Sequence, residues 1–317
     1  ILMLMPVALA VLASCSDRNS LAAPLLLGLA WSCSIGGLGT PIGTPPNLIL
    51  VQVYEENTAQ TISFGQWMSW GMPVVMTLLP LAWWWVTRAV PRELDIQVPA
   101  VGPWRSAERR VLVVFGLTAV AWITRAEPFG GWQTWLDLPA ANDASVALLA
   151  VVALFVVRDD QGEPLIDWAK ASQIPWGVLL LFGGGICLAR AFVASGLSAQ
   201  VGDALTAVAA LPVFAMMLLL ALAVTFLTEA TSNTATTALL MPVLAAVALA
   251  VEIDPLWLMV PAAMSASCAF MLPVATAPNA VVFGSGELPI RRMVREGFAL
   301  NLMGALLIAT VAWVLLT

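Results

Sequence analysis

Apolar residues fall in long runs, at 1–14, 20–54, 67–87, 110–124, 144–157, 174–194, 211–227, 235–251, 256–285 and 297–317, separated by short polar stretches. At 1.5 Å per residue, such runs have the length a helix needs to cross about 30 Å of hydrocarbon. None alternates with the two-residue period of a lipid-facing strand. The pattern predicts an all-α polytopic membrane protein. Two runs are too long for one plain helix, and each is interrupted. The run 20–54 contains "GGLGTPIGTPPN" (36–47) and the run 256–285 contains "LPVATAPN" (272–279); glycine and proline at this density end a helix. A third irregularity is "TEATSNTATT" (228–237), eight of whose ten residues are polar, set between apolar arms at 211–227 and 235–251. A polar tip there predicts a re-entrant hairpin that enters and leaves the membrane on one side.

Composition agrees with the pattern. The chain is 61% hydrophobic and 10% charged, with a mean hydropathy of +0.93, whereas soluble domains are near half apolar and a quarter charged. If 20–54 and 256–285 each cross once as discontinuous helices, and 211–251 returns on its own side, the cations sort cleanly. Arg18, Arg88, Arg92, Arg105, Arg109, Arg110, Arg158, Lys170, Arg291, Arg292 and Arg295 share one face, and only Arg125 and Arg190 lie opposite. Eleven against two makes that face cytoplasmic. Two full crossings within 20–54 would invert everything after it and strand Arg18. The segment 91–109 is charged and proline-rich, an expected interfacial linker, and Trp83–Trp85 before it suit an interfacial aromatic belt. Residues 158–170 read as a solvated cytoplasmic loop. The four cysteines, Cys15, Cys33, Cys187 and Cys268, lack CxxC spacing, and with no histidine a Cys/His metal site or a His-based triad is excluded. Residue 1 is an isoleucine within an apolar run, with no basic leader before it, so an N-terminally truncated chain is expected.

The interruptions repeat. "PIGTPPNLILV" (41–51) matches "PVATAPNAVVF" (273–283) in Pro, Thr, Pro and Asn at an offset of 232, and "MPVALAVLA" (5–13) echoes "MPVLAAVALA" (241–250). The assigned topology takes 20–54 outward and 256–285 inward, so the repeats are inverted, an architecture that places a substrate where helix breaks meet near the midplane. The expected organisation is a first repeat at 1–57, holding a hairpin remnant and a broken helix, scaffold-type helices at 58–210, and a second repeat at 211–317. The first-repeat equivalent of "TSNTATT" would precede Met5.

Broken helices expose unpaired N–H groups, hydroxyls and a positive dipole end on one side of the break, and free carbonyls on the other. The first set suits a carboxylate or sulfate-like dianion. The second suits a hard cation such as Na+. "TEATSNTATTALLMP" and "SASCAFMLPVATAPNAVVF" resemble the divalent anion/sodium symporter family, which includes di- and tricarboxylate transporters, and "LLLFGGGICLARAFVASGL" (179–197) is similar to it too. The resemblance runs along the whole chain. It implies a substrate site of Ser232, Asn233 and Thr234 at the hairpin tip, with Thr44, Pro45, Thr276 and Ala277 at the two breaks. It implies one Na+ site at Thr228, Thr231, Asn233 and Ala275, and Gly43 in another. It further implies a C4-dicarboxylate or related dianion (succinate, malate, fumarate or citrate class), Na+-coupled symport by an elevator mechanism, a homodimeric parent in a bacterial cytoplasmic membrane, and no nucleic-acid partner. One position departs from the family pattern: Ala277 stands where Thr-Pro-Pro-Asn would place proline, which frees an N–H and loosens the turn.

Several features admit two readings. Glu229, the one acid at the hairpin, is either an ion or substrate contact or a brace for the hairpin. Asn47 and Asn279 are expected to satisfy loop backbone more than to bind substrate. "GGG" (183–185) reads as close helix packing, and "GGLGTPIG" lacks the spacing and βαβ context of a nucleotide loop. Ser232 has no histidine or intramembrane lysine to activate it, which argues against an enzyme. Other readings remain: a dicarboxylate exchanger or sulfate-type transporter of the same family, a cation/proton antiporter or arsenite exporter of another broken-helix family, and a non-transporting membrane fragment.

Overall fold

The structure is a computed structural model that describes residues 1, 4–15, 17–91, 102–126, 130–172, 187, 191, 195–196 and 211–317. Most of the expected span 174–194, the "GGG" stretch, Arg92 and Arg190 lie outside the described residues, as does the linker from 92 to 101. The regular elements of the described residues are helices, and Arg158 and Pro164 form an isolated bridge. The helices are α1 (Met5–Ser14), α2 (Arg18–Gly36), α3 (Pro45–Thr58), α4 (Phe64–Thr87), α5 (Ser106–Ile123), α6 (Gly131–Trp135), α7 (Asp143–Val156), α8 (Trp168–Ala171), α9 (Val213–Ala230), α10 (Asn233–Ala250), α11 (Leu256–Ala266), α12 (Ala277–Phe283) and α13 (Ile290–Leu316). Four stretches among them are long and apolar enough to cross a membrane: Arg18–Gly39, Val213–Ala230, Asn233–Ala250 and Ile290–Leu316. This is the expected all-α polytopic membrane protein.

The chain divides into two compact units. The smaller, Ser63–Gln66 with Ala100–Val178, pairs α5 with α7. The Trp122 indole N–H donates to the Asp143 carbonyl at 3.0 Å, and Arg125 Nε meets Asp143 Oδ1 at 2.7 Å. Helix α5 starts inside the charged linker stretch because Glu108 accepts the Arg105 N–H at 3.1 Å, capping the first turn.

The larger unit, Ile1–Ile62, Trp67–Pro99 and Leu179–Thr317, carries both interruptions. Here α2 ends in a 3-10 turn (Gly37–Gly39) before α3, and α11 ends ten residues before α12 begins. Helix α12 packs on α2 while α11 packs on α3. The leading half of each broken helix therefore lies against the trailing half of the other. The two run side by side in opposite directions, with their breaks level. At one end of this unit Arg18 pairs with Glu287 and Arg88 with Glu296, each at 2.5 Å, so Arg18, Arg88 and the arginines at the start of α13 do share a face.

The two breaks are held by the same devices. Asn47 Nδ2 donates to the carbonyls ten and seven residues earlier, Gly37 at 3.0 Å and Thr40 at 2.8 Å. Asn279 Nδ2 does the same to Ala269 and Leu272, both at 3.0 Å. The Leu38 carbonyl accepts the Trp67 indole N–H at 2.9 Å, and the Phe270 carbonyl accepts that of Trp31 at 3.2 Å. A glycine on a neighbouring helix faces each of these carbonyls: a Cβ on Gly71 would lie 2.3 Å from Leu38 O, and one on Gly297 would lie 2.2 Å from Phe270 O. All four side chains that donate to these carbonyls are buried.

One boundary differs from expectation. The second break starts at Ser267, before the "LPVATAPN" that was expected to cause it. The intervening Cys268–Met271 contains no glycine or proline, and it stays unwound because side chains take over its amides. Glu229 Oε1 and Oε2 accept the Met271 and Leu272 N–H groups at 2.8 and 2.9 Å, and Asn301 Oδ1 accepts the Phe270 N–H at 3.1 Å. Asn301 Nδ2 closes the network on Glu229 Oε1 at 2.7 Å. Glu229 and Asn301 are buried, so Glu229 acts as the brace of its two readings. Replacing Gly297 by alanine is expected to lower stability by about 1–3 kcal/mol through overpacking against the Phe270 carbonyl. Gly304→Ala on the same helix is the control, since a Cβ there meets only Leu78 and Phe270 side chains at 3.8 Å or more. Thermal unfolding of the two purified variants distinguishes them; equal melting temperatures would contradict the close approach.

Candidate substrate and ion site

Between the breaks lies a cavity of about 410 Å³. The hairpin connection Thr231–Ser232 between α9 and α10 closes one side, and the break loops before α3 and α12 close the others. Ser232, Asn233, Thr234, Thr276, Ala277, Thr44 and Pro45, the seven residues expected to hold substrate, all line it. So do Gly43 and Ala275 of the expected cation sets. Thr228 and Thr231 are not among its lining residues; Thr228 stands behind Asn233, and Thr231 lies at the turn before α10.

The local chemistry follows from helix starts. Thr44, Ser232 and Thr276 are the N-cap residues of α3, α10 and α12, a position that favours a short hydroxylated side chain. Ser232 Oγ accepts the Ala235 N–H at 3.4 Å, and Thr276 Oγ1 accepts that of Asn279 at 3.2 Å. Thr44 Oγ1 makes no cap bond and sits 3.2 Å from Ser267 Oγ instead. The first amides of α10, those of Asn233 and Thr234, precede the first intrahelical acceptor and are free for a ligand. Helix α3 begins Pro45–Pro46 and so presents no N–H in its first two positions. Helix α12 begins Ala277–Pro278, and Ala277 restores one donor. Among the described residues no arginine, lysine or carboxylate lines the cavity. An anion here would meet hydroxyls, an amide side chain and helix N-termini.

Behind Asn233 the donors change character. Thr228 Oγ1 lies 3.1 Å from the Ala266 carbonyl and also hydrogen-bonds Asn233 Oδ1. One hydroxyl proton thus faces two acceptor oxygens in a buried spot. Three neutral oxygens so crowded are hard ligands of the kind an alkali cation takes. Among the described residues no group of three or more His, Cys, Asp or Glu could hold a metal ion. Thr231 Oγ1 donates to the Leu227 carbonyl at 2.8 Å and sits 2.7 Å from Thr236 Oγ1, fastening the hairpin turn. On the first-half side, Gly43 is pressed against Gly37: a Cβ on Gly43 would fall 2.2 Å from Gly37 O.

Cys33, Ser34, Gly37, Ser267, Val274 and Pro278 also line the cavity. Gly37, Ser267, Val274 and Pro278 fall within the interruptions and motifs quoted from the sequence, Pro278 as one of the repeated positions. Cys33 and Ser34 sit at the end of an apolar helix, where nothing in the local pattern separates a cavity wall from core. Asn47 and Asn279 lie outside the lining with both amide hydrogens spent on backbone carbonyls, the role expected for them. The Oδ1 atom of each is buried without a hydrogen-bond partner.

The model of the sodium:sulfate symporter transmembrane region matches residues 1–317. The chain is 39% identical over 305 residues to the sodium-dependent dicarboxylate transporter SdcS of Staphylococcus saprophyticus, covering 92% of this chain and 58% of that one. It is 36% identical over 303 residues to the SdcS proteins of Staphylococcus aureus strains RF122 and MSSA476, covering 91% of this chain and 58% of theirs. It therefore spans a little over half the length of these relatives. Apolar membrane-length helices in a chain with bacterial transporter relatives make this a multi-pass protein of the cytoplasmic membrane. Motifs, break geometry and an end-to-end match converge: the chain belongs to the sodium:sulfate symporter family, the divalent anion/sodium symporters its hairpin and break motifs resemble.

Proposed function

We propose that this chain is the substrate-binding part of a secondary active transporter that carries a C4-dicarboxylate or related dianion with Na+ as co-substrate. It is a carrier rather than an enzyme. The observation that carries the reading is the cavity between the breaks, where Thr44, Ser232 and Thr276 meet with the free amides of α10. Each helix end contributes roughly 0.3–1 kcal/mol toward an anion, up to about 2 when partly buried. Two carboxylates of one short dianion would be shared between the hairpin tip and the break loops. Na+ would take the Thr228, Asn233 and Ala266 oxygens, with Thr231 and Ala275 beside them, and a second ion the Gly43 side. Filling these places brings positive charge to a cavity that no cationic side chain lines among the described residues, so binding of cation and dianion reinforces itself. Inward movement of each Na+ releases about 2.3 kcal/mol per 100 mV.

In this reading, α9 and α10 form a re-entrant hairpin, and the antiparallel broken helices are inverted repeats. Residues 1–57 and 211–317 belong to a mobile transport body, and 58–210 to a scaffold against which it moves as an elevator, in a homodimeric parent. The sodium-dependent dicarboxylate relatives favour symport of a dicarboxylate over sulfate or exchange.

Reconstituted into liposomes, the protein is expected to take up radiolabelled succinate when an inward Na+ gradient is imposed. Equal uptake with Na+ replaced by choline would remove symport, and no uptake of any dicarboxylate would remove the substrate class. Asn233→Ala should reduce uptake by roughly 100-fold, because charge-assisted bonds lost to both ligands cost about 1.5–3 kcal/mol each and 1.4 kcal/mol is a factor of about ten. Near-normal uptake would sink the hairpin-tip assignment. A variant retaining Cys33 as its sole cysteine should react with a methanethiosulfonate reagent, and succinate with Na+ should slow the reaction several-fold. Labelling indifferent to both would place the substrate elsewhere.

A further inference from the structure

Two cavities of the larger unit, away from the substrate site, join into one groove. The first, about 580 Å³, is walled by Arg88, Arg291, Arg292 and Arg295, with Glu296 as its one acid. The second, about 540 Å³, runs between α2 and α4 along Leu25, Leu29, Leu79 and Trp83. Pro24 and Val86 belong to both, so a basic chamber opens directly into an apolar one.

Among the described residues the charges of this basic chamber are not balanced. Glu296 pairs with Arg88 at 2.5 Å and with Arg295 at 3.7 Å. Arg88 also lies over the Trp85 ring, 3.7 Å from its centroid. Arg291 and Arg292 make no ion pair with a described residue, so among the described residues four arginines face one glutamate. The chamber sits at the start of the 27-residue helix α13, whose N-cap Pro289 provides no side-chain cap. Guanidinium groups bind phosphate bidentately, and the start of a helix adds amide donors to such an anion. The arginines lie on the face assigned to the cytoplasm, where anionic lipid headgroups concentrate and basic pockets between helices take them. The apolar chamber has the complementary property. Its wall is almost entirely aliphatic and aromatic, and Trp83 is two-thirds exposed at its mouth, as suits an interfacial ring.

We propose that this groove is a binding site for one anionic phospholipid. Its phosphate sits among Arg291, Arg292 and Arg295, and one acyl chain lies in the trough between α2 and α4. Phosphate alone is also the chemistry of a soluble anion, but a soluble anion leaves the adjoining apolar trough without a role. The single ligand that fills both chambers has a charged head and a hydrocarbon tail. The site shares α2 with the first break, so its occupant rests on the same helix that leads into the substrate cavity.

The test is native mass spectrometry of the purified protein in detergent, titrated with phosphatidylglycerol, phosphatidylethanolamine or inorganic phosphate. The expected result is one retained phosphatidylglycerol per chain, with phosphatidylethanolamine at least about tenfold weaker and millimolar phosphate a poor competitor. Arg291→Gln with Arg292→Gln should weaken phosphatidylglycerol about tenfold, and the Arg→Lys pair should restore part of it. Gly28→Leu fills the trough from α2, where a Cβ meets only Val86 Cγ2 at 3.7 Å, and should weaken it comparably while leaving the melting temperature of the lipid-free protein near that of the parent. Equal retention of both lipids, or phosphatidylglycerol binding unchanged in both variants, would overturn the proposal. So would displacement by phosphate with Gly28→Leu indifferent, which would make the chamber a soluble-anion site. Binding absent from the start, because acidic residues of the chain already fill the chamber, would overturn it too.

Discussion

A helix interrupted within hydrocarbon frees amide and carbonyl groups that lipid cannot satisfy, and every such group must find a partner inside the protein. In this chain two interruptions lie side by side, and the way their backbone is satisfied determines the rest. Asn47 and Asn279 each tie two carbonyls across a loop. Trp67 and Trp31 each take one more. In the second break Glu229 and Asn301 hold three consecutive amides from Phe270 to Leu272. A buried carboxylate is tolerable there because it accepts three hydrogen bonds. With the loops held open, the starts of α3, α10 and α12 are left pointing at a common space.

For the anion site proposed above, that space has an unusual composition, since among the described residues no cationic side chain lines it. Neutrality has a mechanical logic for a carrier. A fixed arginine would bind a dianion whether or not a cation were present, whereas hydroxyls, amides and helix ends bind it weakly alone. In the proposed function, an added cation at the oxygens behind Asn233 would supply the missing charge. Asn233 is the physical link, because it lines the cavity and its Oδ1 reaches the Thr228 hydroxyl. Ala277 adds an amide donor to one wall that the matching wall at Pro45 lacks, so the two walls of the cavity differ in the donors they can present.

The sequence carried the outline of this arrangement. Gly/Pro density located the first break, the shared Thr/Pro/Asn pattern paired it with the second, and the polar decapeptide between apolar arms located the hairpin turn. The two asparagines were readable because each stands at the same offset from a loop whose carbonyls need donors. Other parts were not legible. The early start of the second break leaves no glycine or proline mark, since its cause is Glu229 on α9 and Asn301 on α13, 42 and 31 residues away from the amides they hold. Gly71, Gly297, Trp31 and Trp67 look like ordinary residues of apolar helices until the break carbonyls beside them are seen. Cys33 and Ser34 become cavity wall only through the neighbours that face them. Local propensity records where a helix must stop, and it does not record what receives the loose ends.

If the site depends on the braced backbone, loosening the brace should spoil binding without unfolding the helices. The direct measurement is Na+-dependent succinate binding to purified Glu229→Ala, beside Glu229→Gln and the parent, with helical content followed by circular dichroism. Alanine leaves the Met271 and Leu272 amides and the Asn301 side chain without their acceptor, at about 1–3 kcal/mol per unsatisfied group. The expected result is unchanged helical content with affinity lowered by about tenfold or more, and the glutamine variant between the two. Parent-like affinity in Glu229→Ala would contradict the account, because the cavity would then hold its shape without the contact on which it is argued to depend.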